Sequence, residues 1–419
     1  MERIFFRLYA LFVHMIDKMA QFRKNAIEFL GLKKSIVALL VMIIFVGLGE
    51  KMAERFLPIY LVALGGGAIM VGLLNGFQNF LSAIYAFPGG FLSDRLGYKK
   101  ALLVFNLIAL FGYLIVIIFP YWIAVFVGSI FFLAWSAISL PATLSLVSVS
   151  LPKNKHTMGI SLSSMVRRVP MALGPILGGT LISIYGEVQG IRLAFVAAFI
   201  LGVVSIIFQH SLIEDPNQEK SIAAKKNPFV LIRSMSVSLR CLLVSDILVR
   251  FAEQIPYAFV VIWCLKLNEI SPVEFGVLTT IEMVTAMLVY IPVAYLADKN
   301  RKKPFVVITF FNFSLFPLVL LFSHSFAALV IAFFVRGLKE FGEPTRKSLI
   351  IDLAPEEVQG TMFGLYYLMR DLIVTIAAFS GGILWEISPE VNLMVAFIFG
   401  ILGTLFFAIF GRDLKIPAK

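Results

Sequence analysis

Residues 90–100, Gly90-Phe91-Leu92-Ser93-Asp94-Arg95-Leu96-Gly97-Tyr98-Lys99-Lys100, put one acidic and three basic groups between two apolar runs, Ala68–Leu92 and Ala101–Phe119. A helix of about 20 apolar residues crosses a hydrocarbon core about 30 Å thick, so each run is long enough to span a membrane. Span, tight basic turn and second span make a membrane hairpin, and the pattern continues in both directions. Ser35–Leu64, Trp122–Leu151, Met158–Ser183 and Ile191–Ser211 complete a first set of six. Cys241–Leu265, Phe275–Ala297, Phe305–Phe322, Phe326–Leu353, Gly360–Glu386 and Val391–Phe410 form a second.

Composition agrees with the spans. The chain has 419 residues, 60% hydrophobic and 15% charged, with two cysteines and 41 phenylalanines. Soluble domains average about half apolar and a quarter charged, so an ordinary soluble enzyme is excluded. Two cysteines exclude a disulfide scaffold. Cys241 and Cys264 lie near opposite ends of one span, and His14, His156, His210 and His324 are scattered, so no metal or cofactor site is expected. The net charge of +11 reflects position: 24 of the 36 lysines and arginines fall on the side that holds both termini, and only Arg192 and Lys266 sit in the opposite loops. Basic loops stay cytoplasmic, so both termini are expected in the cytoplasm, with no nucleic-acid partner. The reading divides the chain into an amphipathic segment at 1–34, a six-helix bundle at 35–212, a polar linker at 213–240, a second bundle at 241–411 and a tail at 412–419.

The two bundles repeat. Glu50 and Glu253, Pro141 and Pro344, Pro152 and Pro355, Arg167 and Arg370, and Gly178-Gly179 and Gly381-Gly382 are separated by 203 residues, and Asp94 and Asp298 by 204. An even number of spans per copy inserts both the same way round, as parallel repeats about an axis along the membrane normal. Two such halves enclose a central cavity that rocking exposes to either side.

The 90–100 stretch resembles the loop signature of the major facilitator superfamily, G-x-L-[SA]-D-R-x-G-R-[KR], with Tyr98 in place of the arginine. The second copy, Ala294–Lys303, has lost both glycines. The resemblance extends over nearly the whole chain. It implies an all-α membrane protein of twelve transmembrane helices in two pseudo-symmetric six-helix bundles, without enzymatic activity. It further implies a cytoplasmic gating loop made of Gly90, Asp94, Arg95, Gly97, Lys99 and Asp298. Gly174-Pro175-Ile176-Leu177-Gly178-Gly179 resembles the end of the superfamily's antiporter motif, where proline kinks the helix and glycines admit a neighbouring helix.

Ionisable groups inside a membrane cost at least about 2.5–3.5 kcal/mol each near a helix centre, so they require partners or a watery cavity. The first span carries Glu50, Lys51, Glu54 and Arg55; the seventh carries Asp246, Arg250 and Glu253. The repeat places Glu50 opposite Glu253 across the cavity, as candidate proton carriers with Asp246 and Glu340. Glu54 and Arg55 read as an interfacial pair. The tenth span reads Arg336-Gly337-Leu338-Lys339-Glu340-Phe341-Gly342-Glu343-Pro344-Thr345-Arg346-Lys347. There Arg336, Glu340 and Glu343 share one helical stripe, and Arg346 and Lys347 read as interfacial anchors. Arg167, Arg250, Arg336 and Arg370, with Gln78 and its repeat mate Glu282, are the candidate cavity and substrate residues. No G-x-x-x-x-G-K-[ST] motif occurs, which argues against direct ATP-driven transport.

The expectation is a monomeric secondary transporter in the cytoplasmic membrane, moving a small organic molecule by alternating access. Proton-coupled antiport, hence export, leads. Proton symport of an anionic solute is the alternative, and a non-transporting receptor or scaffold on the same fold a remote one.

Overall fold

The computed structural model describes residues 34–96, 98–132, 156–212, 233, 235–298, 301–354 and 359–413. The amphipathic segment up to residue 33, most of the 213–240 linker, and Pro141, Pro152 and Pro355 lie outside the described residues. Among the described residues the protein is helical and contains no strand. Helix coincides with all twelve expected spans, the fourth being described as far as Phe132. Among the described residues eight segments are long and apolar enough to cross a membrane. Exposed side chains such as Ile118, Ile207, Leu288 and Ile409 are apolar, as a lipid-facing surface demands.

The helices are α1 (Lys34–Glu54), α2 (Leu57–Ala63), α3 (Ala68–Leu96), α4 (Tyr98–Ile118), α5 (Trp122–Phe132) and α6 (His156–Leu212) in the first half. The second half holds α7 (Val237–Gln254), α8 (Pro272–Asp298), α9 (Lys302–Leu321), α10 (Phe326–Leu338), α11 (Glu343–Leu353), α12 (Gln359–Ile387) and α13 (Pro389–Phe410). Local sequence sets several starts. The Ser236, Ser325 and Ser388 hydroxyls accept from Leu239, Ala328 and Val391 N–H at 3.2, 3.3 and 3.1 Å. Ser271 and Glu274 form a reciprocal capping box ahead of α8, at 2.8 and 3.2 Å.

Three spans read as continuous are interrupted, each beside a proline, which cannot donate to the preceding turn. The first stops at Glu54 and restarts at Leu57-Pro58. The seventh stops at Gln254, ahead of Pro256, and resumes as the short helical turns of 257–267. The tenth stops at Leu338 and restarts at Glu343-Pro344. Conversely, the fifth and sixth spans are the two arms of α6, reversed at Gly186 alone. Its φ of 78° and ψ of 171° belong to a region that only glycine enters readily.

The repeat recurs in packing. Gly178 lies directly against the Met52 carbonyl, and Gly381 against the Ile255 carbonyl, both partners shifted by the same 203 residues. Gly72 meets Gly382 so closely that a Cβ would come within 2.6 Å of the opposing backbone, and a Cβ on Gly276 within 2.7 Å of Ile176 Cα. These contacts join α3 to α12 and α6 to α8 across the halves. By connectivity all lie at the end opposite the termini, where Lys266 also bridges to Glu187 at 2.5 Å. That end of the molecule is closed.

Candidate functional site

Below the closed end lies a small cleft between the two halves, partly open to solvent. Its polar lining is Glu54 and Arg55 from the first interruption, Asn75 and Gln78 from α3, Tyr257 from the second interruption and Arg336 from α10. Helix breaks at membrane depth free backbone groups and turn side chains inward, and such breaks are tolerated where they line a cavity. Of the expected cavity residues, Gln78 and Arg336 line this space. Arg167, Arg250, Arg370 and Glu282 do not.

Glu54 and Arg55, expected as an interfacial pair, face the cavity with different partners. Lys51 pairs with Glu54 and lies 3.2 Å from Glu50. Arg55 sits 5.4 Å above the Tyr257 ring, across the two halves. Glu50 is 4% exposed, outside the cavity lining. The face-to-face arrangement of Glu50 and Glu253 gives way to ion pairs within each half, because each glutamate has a cation on its own helix one or three residues away.

The second half carries a continuous ion-pair network. Glu253 accepts from Arg250 at 2.5 Å and from Lys339 at 2.9 Å. Lys339 also lies 3.3 Å from Glu282, which is wholly buried, and Glu282 lies 3.3 Å from Arg336 Nε. Arg336 is boxed by the rings of Phe316, Phe333 and Tyr257 at 5.0, 5.6 and 5.8 Å. Deeper, Arg346 is completely buried between Asp246 and Glu343, donating to Glu343 at 2.7 and 3.0 Å and also pairing with Asp246. Tyr366 donates to Asp246 at 3.1 Å, and Arg370 reaches it at 3.4 Å. Arg346 is therefore a structural centre rather than an interfacial anchor. Lys347 stays 44% exposed beside Glu343.

The break between α10 and α11 also undoes the shared stripe of Arg336, Glu340 and Glu343. Arg336 turns to Glu282, Glu343 to Arg346, and Glu340 to the other half, where it accepts from Arg168 at 2.8 Å. Of the two repeat-related arginines expected in the cavity, Arg370 is held by Asp371 at 2.7 Å. Arg167 Nε and Nη2 are buried without a hydrogen-bond partner. Asp246 and Arg250, spaced for an i,i+4 pair, remain 3.8 Å apart because Arg346 takes the carboxylate.

The gating loop is described only in part. The backbone stays helical through Gly90 to Leu96 and again from Tyr98. Gly97 and the side chains of Asp94, Arg95 and Asp298 lie outside the described residues. Lys99 donates to the His210 carbonyl at 2.9 Å, a tie within the first half. The helix-packing motif does pack. Gly174 lies against Lys51, Gly178 against Met52 and Gly179 against Pro272, so one arm of α6 touches both the first interruption and the opposite half. Among the described residues no cluster of His, Cys, Asp or Glu has metal-binding geometry.

The family model described as Major Facilitator Superfamily matches residues 39–265 and again 242–418. The chain belongs to the Major Facilitator Superfamily. It is a multi-pass membrane protein and a secondary transporter of this superfamily, not an enzyme. An MFS-type transporter of Methanocaldococcus jannaschii is 24% identical over 379 residues, 85% of this chain and 90% of that protein. A Bacillus subtilis MFS-type transporter is 25% identical over 194 residues, covering 44% of this chain and 45% of its own length. The fold matches the nucleoside transporter NupG at a TM-score of 0.77 and 12% identity, over 90% of this chain and all of that one. It matches a peptide transporter solved with alafosfalin at 0.73 and 15%, over 91% and 96%.

Proposed function

We propose that the protein is a proton-coupled transporter of a small organic solute, working by antiport and hence export, as a monomer in the cell membrane with both termini cytoplasmic. One observation carries this reading. The interrupted tenth span joins the cavity, the buried carboxylates and the contact between halves within five residues: Arg336 lines the cavity, Lys339 bridges Glu253 and Glu282, and Glu340 holds Arg168 of the other half. Moving this break trades ion pairs in all three places. Protonating Glu253 or Glu282 removes one of the two carboxylates that hold Lys339 and loosens the break, which couples proton arrival to rearrangement of the halves. Export is further supported by the resemblance of Gly174–Gly179 to the superfamily's antiporter motif, which packs against Lys51 and Met52 of its own half and Pro272 of the other.

The test is proton flux in liposomes loaded with pyranine and a panel of organic acids, amines and nucleosides, set against protein-free liposomes. Exit of a trapped solute drives proton influx if the reading is right, and Glu253→Gln slows that influx at least tenfold while solute exchange continues. Lumen acidification on adding the solute outside, with lumen alkalinisation as trapped solute leaves, indicates symport. Solute movement indifferent to any pH gradient overturns proton coupling.

A further inference from the structure

Most cations at membrane depth in this structure have a carboxylate partner. Lys51 has Glu54, Arg168 has Glu340, Arg250 has Glu253, Arg336 has Glu282, Arg346 has Asp246 and Arg370 has Asp371. Arg55 stands apart. It lines the cavity, its contact is the Tyr257 ring, and it forms no ion pair among the described residues. Its neighbour Glu54 is engaged by Lys51 on the preceding turn. Arg167 also lacks hydrogen-bond partners on two nitrogens, but those nitrogens are buried and do not line the cavity.

The carboxylates of Glu54, Glu253 and Glu282 act on Arg55 from beyond ion-pair distance. A guanidinium with no direct carboxylate partner at this depth needs water or a ligand to complete its hydrogen bonds. A planar fork of donors suits a two-oxygen anion. The remaining lining is mostly apolar, with Leu57, Val71, Val260 and Phe275; its other polar groups are the Asn75 and Gln78 amides, the Tyr257 hydroxyl and the Glu54 carboxylate, which Lys51 neutralises. Arg336, the other arginine of the lining, is already matched by Glu282.

We propose that Arg55 anchors the anionic group, a carboxylate, sulfonate or phosphate, of a small solute whose apolar body lies against Leu57, Val71 and Phe275. The assignment rests on reading this cavity as the transport site, and it deepens that reading by naming the substrate class. The aromatic face of Tyr257 holds the guanidinium in place from the other half, so a bound anion touches a group that both halves position.

The experiment is thermal unfolding of the purified protein in phosphatidylcholine nanodiscs, with no gradient present. The probes are benzenesulfonate, benzoate and phenyl phosphate, set against the neutral benzamide and the cationic benzylamine. A ligand that binds the folded state raises the midpoint. At least one anion is expected to raise it, with benzamide and benzylamine without effect. Arg55→Gln abolishes the shift, and Arg55→Lys keeps it with affinity about tenfold weaker, through the loss of the bidentate fork. Benzylamine binding as well as the anions overturns the assignment, and so does no shift with any anion. An anion shift that survives Arg55→Gln overturns it too. Stabilisation by phosphatidylglycerol nanodiscs alone, without any small anion, assigns the site to lipid and likewise overturns it. The charge series on the unaltered protein decides the matter even if the Arg55 variants fail to fold. Because no proton gradient enters, a failure of proton coupling leaves this result intact, and the converse holds.

Discussion

Arg168 of α6 donates to Glu340, in the break between α10 and α11, at 2.8 Å across the two halves of the protein. Arg168 lies 18 residues before Gly186, about 27 Å along the arm from the closed end at 1.5 Å per residue. The bridge joins the halves about 12 Å along the same arm from Ile176, where α6 meets Gly276 of the other half, and both side chains remain partly exposed, at 15% and 20%.

Removing either partner shifts the balance between conformers. Partly exposed ion pairs contribute about 0.2–1 kcal/mol, so Arg168→Ala or Glu340→Ala is expected to change the conformer ratio up to about fivefold. The exchanged pair, Arg168→Glu with Glu340→Arg, restores it. Accessibility of cysteines introduced on the cavity wall, compared across the four proteins, measures the shift.

The Asp246–Arg346 pair behaves differently, because its side chains are 1% and 0% exposed. Breaking a buried pair by removing one partner leaves an uncompensated charge, at a cost of about 3–5 kcal/mol. Arg346→Met is expected to lower the unfolding midpoint sharply and to reduce folded yield. Asp246→Asn should be milder, since Arg346 retains both bonds to Glu343. Equal losses in the two variants contradict this account.

Gly72 tests the seam. A Cβ there comes within 2.6 Å of Gly382 backbone, which has no side chain to move aside. Gly72→Val is expected to keep the helices folded while forcing the halves apart at the closed end. Transport falls at least tenfold, and cysteines near Gln78 become reactive to impermeant reagents from that side. Gly364, with nothing within 4 Å of an added Cβ, accepts alanine without effect and serves as the control.

Gly186 tests the reversal of α6. Its backbone conformation strains any residue with a Cβ, by about 1–3 kcal/mol. Gly186→Ala is expected to lower stability by that amount in a denaturant titration, although open space surrounds the added methyl. A loss without a steric clash isolates backbone strain as the cause.

The pattern of 20-residue apolar runs determined that the chain spans a membrane with helices, and the 203-residue repeat determined that it does so as two related halves. The spans arise from local physics, since lipid accepts only backbones bonded within themselves, and the repeat is written in residue identities at a fixed offset. Charge content likewise marked the first, seventh and tenth spans as the unusual ones. Which charge meets which was not legible there. Periodicity assumes an unbroken helix, and Pro58, Pro256 and Pro344 accompany breaks in the three spans that carry the charges. Each break rotates the helix beyond it, so Arg346 went to the core, Glu340 to the opposite half and Arg55 to the cavity. Ion pairing is a non-local choice among many cations and carboxylates, and only the packing of α7, α8 and α12 around the α10–α11 break decided it.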